Sequence, residues 1–178
     1  MKILLTGSNG QLGHDFKKIF DRKNIEYIAT DSKELDITND EKLKIFFQGN
    51  RGITHIINCA AYNDVDKAEN DEKVWLLNAK APKKLAEISK EIGAVFVTYS
   101  TDFVFDGNKS FPYLEEDETK GLSEYGKSKA KSEKEVLKIY DKSFVIRTSW
   151  VFGIANNNFN KQVINWSKSR NELNIVDD

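Results

Sequence analysis

The chain has 178 residues, enough for one domain with a real core but cramped for two, since a chain of that size buries about 70% of its unfolded surface. Lys and Arg number 27 against 28 Asp and Glu, a net charge of −1, so no basic field offers itself to a nucleic acid, and no apolar run approaches the roughly 20 residues that span a bilayer. The single cysteine, Cys59, excludes an intramolecular disulfide, and Met1 leads into an apolar strand without a cleavable leader; both features point to the cytosol.

Five short apolar runs, "KILLTG", "IEYIAT", "THIINCAA", "AVFVTYS" and "FVIRTSW", alternate with longer charged segments of helical spacing. That alternation predicts βαβ units, and continuous apolarity within each run suits strands covered on both faces. The expected fold is therefore α/β: a doubly wound parallel sheet of Rossmann type with helices on both faces.

The first strand runs directly into "TGSNGQLG", with a helix from about Gln11. In that context Gly7 permits a tight turn, Gly10 lets backbone approach a pyrophosphate, and Gly13 lets helix and strand pack closely. Asn9, Gln11 and Leu12 complete the candidate phosphate cradle. After the second strand comes Asp31, close to the spacing of about 20 residues at which a carboxylate can accept from an adenosine ribose hydroxyl. Its charge favours NAD modestly over NADP, while Lys33 nearby offsets the repulsion of a ribose phosphate, so the reading takes NADH or NADPH.

Thr38 and Glu41 have capping-box spacing, predicting a helix that ends near Gly49. Leu85, Ala86 and Ile88 share a helical face, and Gly93 is placed to stop that helix in the left-handed conformation. The fourth strand ends at Thr101, where ligands of open α/β sheets gather at the carboxyl ends of the strands. "YGKSK" then puts Tyr125 and Lys129 one helical turn apart on one face. A threonine to hold a carbonyl oxygen, a tyrosine to protonate it and an ammonium to lower the phenol's pKa are the parts needed for hydride transfer from a nicotinamide. The lysines of residues 127–138 are mixed with Glu133 and Glu135 and read as a solvated face.

Other residues read more plainly. His14 and His55 lack partners at ligand spacing, so no metal site is assigned. Trp75, Trp166 and the phenylalanines are expected in the core, Cys59 as a small core residue, and "NNNF" as either a substrate loop or a turn.

With these residues in place, the chain resembles the extended short-chain dehydrogenase/reductase superfamily and, within it, the dTDP-4-dehydrorhamnose reductase family. The likeness runs the length of the chain and adds "LDIT", "NCAAYNDVDKAE", "LNAKAPKKLA", "STDFVFDG" and "RTSWVFG" to the two motifs above. The resemblance implies that Asp36 and Ile37 flank the adenine, and that Ala60, Ala61, Tyr62 and Asn63 line the cofactor. It further implies that Tyr99, Tyr125 and Lys129 contact its nicotinamide end, and that Thr101, Asp102 and Trp150 face a nucleotide sugar. The implied reaction is NAD(P)H reduction of the carbon-4 ketone of dTDP-4-dehydrorhamnose to dTDP-rhamnose.

Cys59 departs from the family's usual alanine, and Phe103 from its usual tyrosine. A dehydratase would need a proton-transfer residue where Phe103 stands. Two rivals stay open: another nucleotide-sugar reductase or epimerase of the superfamily, and a non-catalytic module similar to the regulatory subunit of methionine adenosyltransferase. Members of the family continue for roughly another hundred residues. Residues 1–178 are therefore expected to be the NAD(P)-binding domain, with most of the substrate-binding portion and any homodimer contacts outside the chain.

Overall fold

A computed structural model describes residues 1–170 and 172–174. All five apolar runs form strands: β1 (Lys2–Thr6), β2 (Glu26–Thr30), β3 (His55–Asn58), β4 (Val95–Thr101) and β5 (Ser143–Thr148). They pair in parallel in the order β2-β1-β3-β4-β5, a Rossmann-like sheet. The order reverses direction between β1 and β3, which opens a crevice there at the carboxyl ends of the strands. The final run "LNIVDD", whose pattern suits a strand, falls on residues 173–178, of which 175–178 lie outside the described residues.

Helices cover both faces unequally. On one face α2 (Asp40–Gly49), α5 (Ala81–Ile92) and α6 (Glu124–Ile139) bury Leu43, Leu85 and Val136 against Leu4, Ile56 and Phe96. On the other, α1 (Gln11–Lys23) lays Phe16 and Phe20 over Ile3, Leu5 and Ile57. Two shorter helices, α3 (Val65–Ala68) and α4 (Lys73–Trp75), follow β3, and α4 continues through a π-helical turn, Leu76–Lys80, into α5. The last helix, α7 (Phe159–Ser167), buries none of its residues.

Local signals explain most boundaries. Gly93 ends α5 at φ 72° with its amide on the Lys90 and Ser89 carbonyls, as its sequence position predicts. At α2 the expected cap is displaced by one residue: Asn39 accepts from the Lys42 amide at 3.0 Å, while the Thr38 hydroxyl donates to Asp36 at 2.6 Å. An amide oxygen caps as well as a hydroxyl, so the capping box loses to its neighbour.

The aromatic residues divide. Phe20, Phe47 and Phe96 are buried, but Phe103, Phe111, Phe144 and Phe152 are exposed and Trp166 is 36% exposed, so the expectation of a phenylalanine- and tryptophan-filled core is corrected. Trp75 is half-buried because its indole must reach the Glu124 carboxylate at 3.1 Å.

Gly7 has φ 66°, and a Cβ placed on it would lie 2.5 Å from the Ala60 amide nitrogen. Gly7→Ala should therefore lower stability by on the order of 3 kcal/mol in urea unfolding, combining left-handed strain with a backbone clash.

Candidate active site

Side chains join the carboxyl ends of β1 and β3 to the middle of β4. Thr6 donates to Asn58 Oδ1 at 2.6 Å, and Asn58 Nδ2 donates to Thr98 Oγ1 at 3.2 Å; all three are buried. This rung fixes the strand ends beside the crevice, and buried polar groups are stable only when satisfied in this way.

The glycine turn sits at the crevice. Gly10 stands at the N-cap of α1 with no side chain capping the helix, and the first turn carries no acid. Its free amides and the positive end of the helix dipole therefore suit an anion. Gly13 packs so closely that an added Cβ would lie 2.7 Å from Ser8 Cα. Gln11 turns away from the turn, donating to the Val151 carbonyl at 2.7 Å, and Leu12 lies half-buried on α1.

Asp31 ends beside this turn: its carboxylate accepts from the Asn9 amide and, at 2.8 Å, from the Lys33 backbone amide. Hydrogen bonding with Glu34, then with Lys33 and Asn9, holds the Asp31 carboxyl below its ordinary range, so it is charged and aimed at the turn. Asp36 is also lowered, first by the Thr38 hydroxyl. Ile37 is 4% exposed within the core, leaving only its backbone to face a ligand.

After β3, the Ala60 amide donates to Asn58 Oδ1 at 3.2 Å, and Ala61 and Asn63 follow on the loop. The Tyr62 amide donates to Asn78 Oδ1 at 2.7 Å, and its phenol donates to Asp71 at 3.0 Å. Burial raises the Tyr62 phenol, with Asp71 adding to the rise.

Sequence reading missed Asn78. It lies in the π-helical turn, fully buried, and its amide donates to the Tyr62 carbonyl at 3.0 Å and to Ser128 Oγ at 3.2 Å. Ser128 in turn donates to the Tyr125 carbonyl at 2.7 Å. Asn78 thus ties the loop after β3 to the helix that carries the candidate proton donor. A lone amide in the apolar helical run "VWLLNAKA" was the available signal.

Helix α6 starts where three groups fix it: Ser123 caps the Gly126 amide at 3.0 Å, Glu69 accepts from the Glu124 amide at 2.8 Å, and Trp75 holds the Glu124 carboxylate. Gly126 has no room for a side chain against the Phe103 carbonyl. That contact brings Tyr125 to the 3₁₀ turn Asp102–Val104, where Phe103 packs edge-on against its ring at 5.8 Å between centroids. Thr101 is 5% exposed and donates to Asp102 at 2.9 Å. Its hydroxyl also accepts from the Phe103 amide at 3.2 Å, at the turn against which the Tyr125 ring packs. Thr101, Asp102 and Tyr125 thus gather around the turn Asp102–Val104.

Lys129 is 5% exposed, and its Nζ donates to the Tyr99 backbone carbonyl at 2.5 Å. Burial pulls its ammonium down to about 8. The Tyr125 phenol, expected to be lowered by this ammonium, is instead raised: burial dominates, the Thr101 hydrogen bond opposes it, and Asp102 adds to the rise. The ammonium is held by a backbone carbonyl, while the phenol ring packs against Phe103. The Tyr99 phenol, packed near Phe16, is pushed up to about 12 by burial, and burial likewise pushes the Cys59 thiol up to about 12.

Trp150 follows β5 with a left-handed backbone, φ 51°, and is 66% exposed, its indole edge-on to Phe159 at 4.7 Å. The "NNNF" segment proves to be a strap: Asn156 donates to the Asn9 carbonyl at 2.8 Å, Asn158 donates to Gln11 Oε1 at 2.9 Å, and Asn158 caps α7.

The model of the family described as the RmlD substrate binding domain matches residues 1–178. A dTDP-4-dehydrorhamnose reductase of Aggregatibacter actinomycetemcomitans is 39% identical over 179 residues, which cover 99% of this chain and 60% of that protein. A crystal structure of a dTDP-4-dehydrorhamnose reductase from Clostridium acetobutylicum superposes with a TM-score of 0.93 at 43% identity, covering 97% of this chain and 61% of that one. The Bacillus anthracis enzyme of that name, in complex with NADP, gives 0.90 at 36% identity over 97% and 61%. The chain thus spans about three fifths of the length of the relatives it matches.

The buried ammonium makes stability depend on pH. Below pH 8 Lys129 is protonated folded and unfolded, so its fold carries the full burial cost, ~3 kcal/mol for a fall from 10.5 to about 8. That cost fades as pH rises from 8 toward 10.5. Urea unfolding across this range should show a rise in stability that Lys129→Met lacks.

Proposed function

The chain belongs to the family of RmlD substrate binding domains, and from that membership we propose that it carries the dinucleotide and proton-transfer parts of a dTDP-4-dehydrorhamnose reductase. The reaction is reduction of the carbon-4 ketone of dTDP-4-dehydrorhamnose, giving dTDP-rhamnose, with NADH or NADPH as reductant, and its place is the cytosol. The observation that carries this reading is the turn Asp102–Val104 at the carboxyl end of β4, capped by Thr101 and packed through Phe103 against Tyr125, on the same sheet whose β1 leads into an uncapped helix N-terminus.

The residues fit the dinucleotide. Gly7, Gly10 and Gly13 leave a cradle that side chains would fill, the α1 amides suit its pyrophosphate, and the Asp31 carboxylate suits a ribose hydroxyl. Lys33 beside Asp31 supplies a cation for a ribose phosphate, in keeping with the NADP bound to the Bacillus anthracis relative. Asn9, Gln11, Leu12, Ala60, Ala61, Tyr62 and Asn63 line the same reading, with Asp36 and Ile37 at the adenine end and Tyr99 at the other.

When bound, the reduced nicotinamide supplies the hydride. The chain's own residues then do three things. Thr101 turns its hydroxyl proton from Asp102 to the ketone oxygen and so orients it. Tyr125 gives that oxygen its proton, and a phenol raised by burial is held in its protonated form, ready to donate. Lys129, one turn along α6 from Tyr125 and fixed on the Tyr99 carbonyl, would offer its ammonium to the nicotinamide end of the dinucleotide. Asp102 and Trp150 face the nucleotide sugar. Phe103 carries no transferable proton, which disfavours elimination chemistry at this site.

Oxidation of NADPH or NADH dependent on dTDP-4-dehydrorhamnose, measured on the chain together with the remainder of its length in relatives, tests the proposal. Tyr125→Phe should lower turnover by about 10²- to 10⁴-fold while leaving dinucleotide affinity nearly unchanged; turnover within threefold of wild type removes the proton-donor role. Asp31→Ala should weaken NADH about tenfold and NADPH less, and equal losses in a binding titration would contradict the ribose contact.

A further inference from the structure

Glu133 is a buried carboxylate without a part in the chemistry above. It is 4% exposed and lies one turn beyond Lys129, so Tyr125, Lys129 and Glu133 form one stripe along α6. Arg147 on β5 grips it with both arms: Nε donates to Oε1 at 3.0 Å and Nη2 to Oε2 at 2.7 Å. Arg147 is itself held, its Nη1 donating to the Glu115 carbonyl at 3.1 Å and its guanidinium lying 4.9 Å over the Phe105 ring. Glu133 is therefore a charge at a fixed position rather than a mobile side chain.

A pair with its carboxylate buried and its guanidinium half-buried contributes little net stability, since the cost of dehydrating the ions offsets much of their attraction. What it does supply is a negative potential inside the helix–sheet interface, where low dielectric carries it further than in water. Lys129 needs one. Among the described residues its Nζ hydrogen-bonds the Tyr99 carbonyl, a dipole rather than a counter-charge. The elements packed against α6 carry other ionisable groups, among them Glu69, Lys80, Lys83, Tyr99, Asp102 and Arg147, yet Glu133 is the group whose charge opposes the effect of burial on Lys129.

We propose that Glu133, clamped by Arg147, is a positioning residue that keeps the buried Lys129 side chain charged at neutral pH, an inference that rests on Lys129 being part of the proton-transfer pair. Arg147 has two effects of opposite sense: it fixes the carboxylate, and it shares the field that the carboxylate sends to Lys129.

Nuclear magnetic resonance of the chain labelled with ¹⁵N-lysine reads this directly, the Lys129 signal being identified by its loss in Lys129→Met. In Glu133→Gln the titration midpoint of Lys129 should fall by about one pH unit from its value in the wild type. The double variant E133Q/R147M removes both ions and leaves no unpaired guanidinium; there the midpoint should also fall, by a smaller amount. A fall in both variants, each with the circular dichroism of the wild type, supports the proposal. A midpoint within about 0.2 units of wild type in the folded double variant overturns it, because a purely structural pair would leave Lys129 unmoved. The measurement needs neither substrate nor turnover, so an inactive protein with a moved midpoint would sink only the functional reading.

Discussion

Three approaches of backbone to backbone, each closed to a side chain, hold the candidate site in place. Gly7 lies on Ala60, Gly13 on Ser8, and Gly126 on the Phe103 carbonyl. The first two press the turn after β1 against the end of β3 and the start of α1, leaving helix amides open toward the crevice. The third presses α6 onto the turn after β4, and only then does Tyr125 meet Thr101. Close-packed interiors transmit such displacements rather than absorb them, so a methyl group at any of these points would shift the groups that depend on it.

Around these contacts the site is built from buried polar groups that are nearly all partnered. The Thr6–Asn58–Thr98 rung joins three strands, and Asn78 joins the loop after β3 to α6 through Ser128. Lys129 is the uncomfortable member: an ammonium in a dehydrated interface, answered by a carbonyl and, a turn away, by a carboxylate that already has a partner. Such groups are retained for chemistry more often than for stability.

Much of this arrangement was legible in the residues. Strands with continuous apolar runs can only be covered on both faces, and the glycine turn declares itself because φ at Gly7 and the approach at Gly13 exclude any other residue type. Helical spacing placed Tyr125 and Lys129 on one face without knowledge of the sheet. What sequence could not give was the environment that sets charge. Spacing made Lys129 the agent that lowers the Tyr125 phenol, whereas burial, a tertiary property, raises the phenol and lowers the amine. The cap of α2 was misplaced because Thr38 and Asn39 are both good caps, and only the turn made by Asp36 decides between them. The exposed phenylalanines were misassigned for a related reason: hydrophobicity says what a side chain favours, not whether the fold provides a cover.

The π-helical turn between α4 and α5 has a consequence for how this segment can vary. Such a turn holds one residue more than regular winding, and the surplus is what lets Asn78 face inward while Leu85 and Ala86 still reach the sheet. The five residues of 76–80 make about the rotation that four make in regular winding, so loss of one would restore ordinary winding with both flanks still on their present faces. What would go is the widened turn that presents the Asn78 amide to Tyr62 and Ser128. The length of this stretch is thus tied to the Asn78 link rather than to the packing of α5.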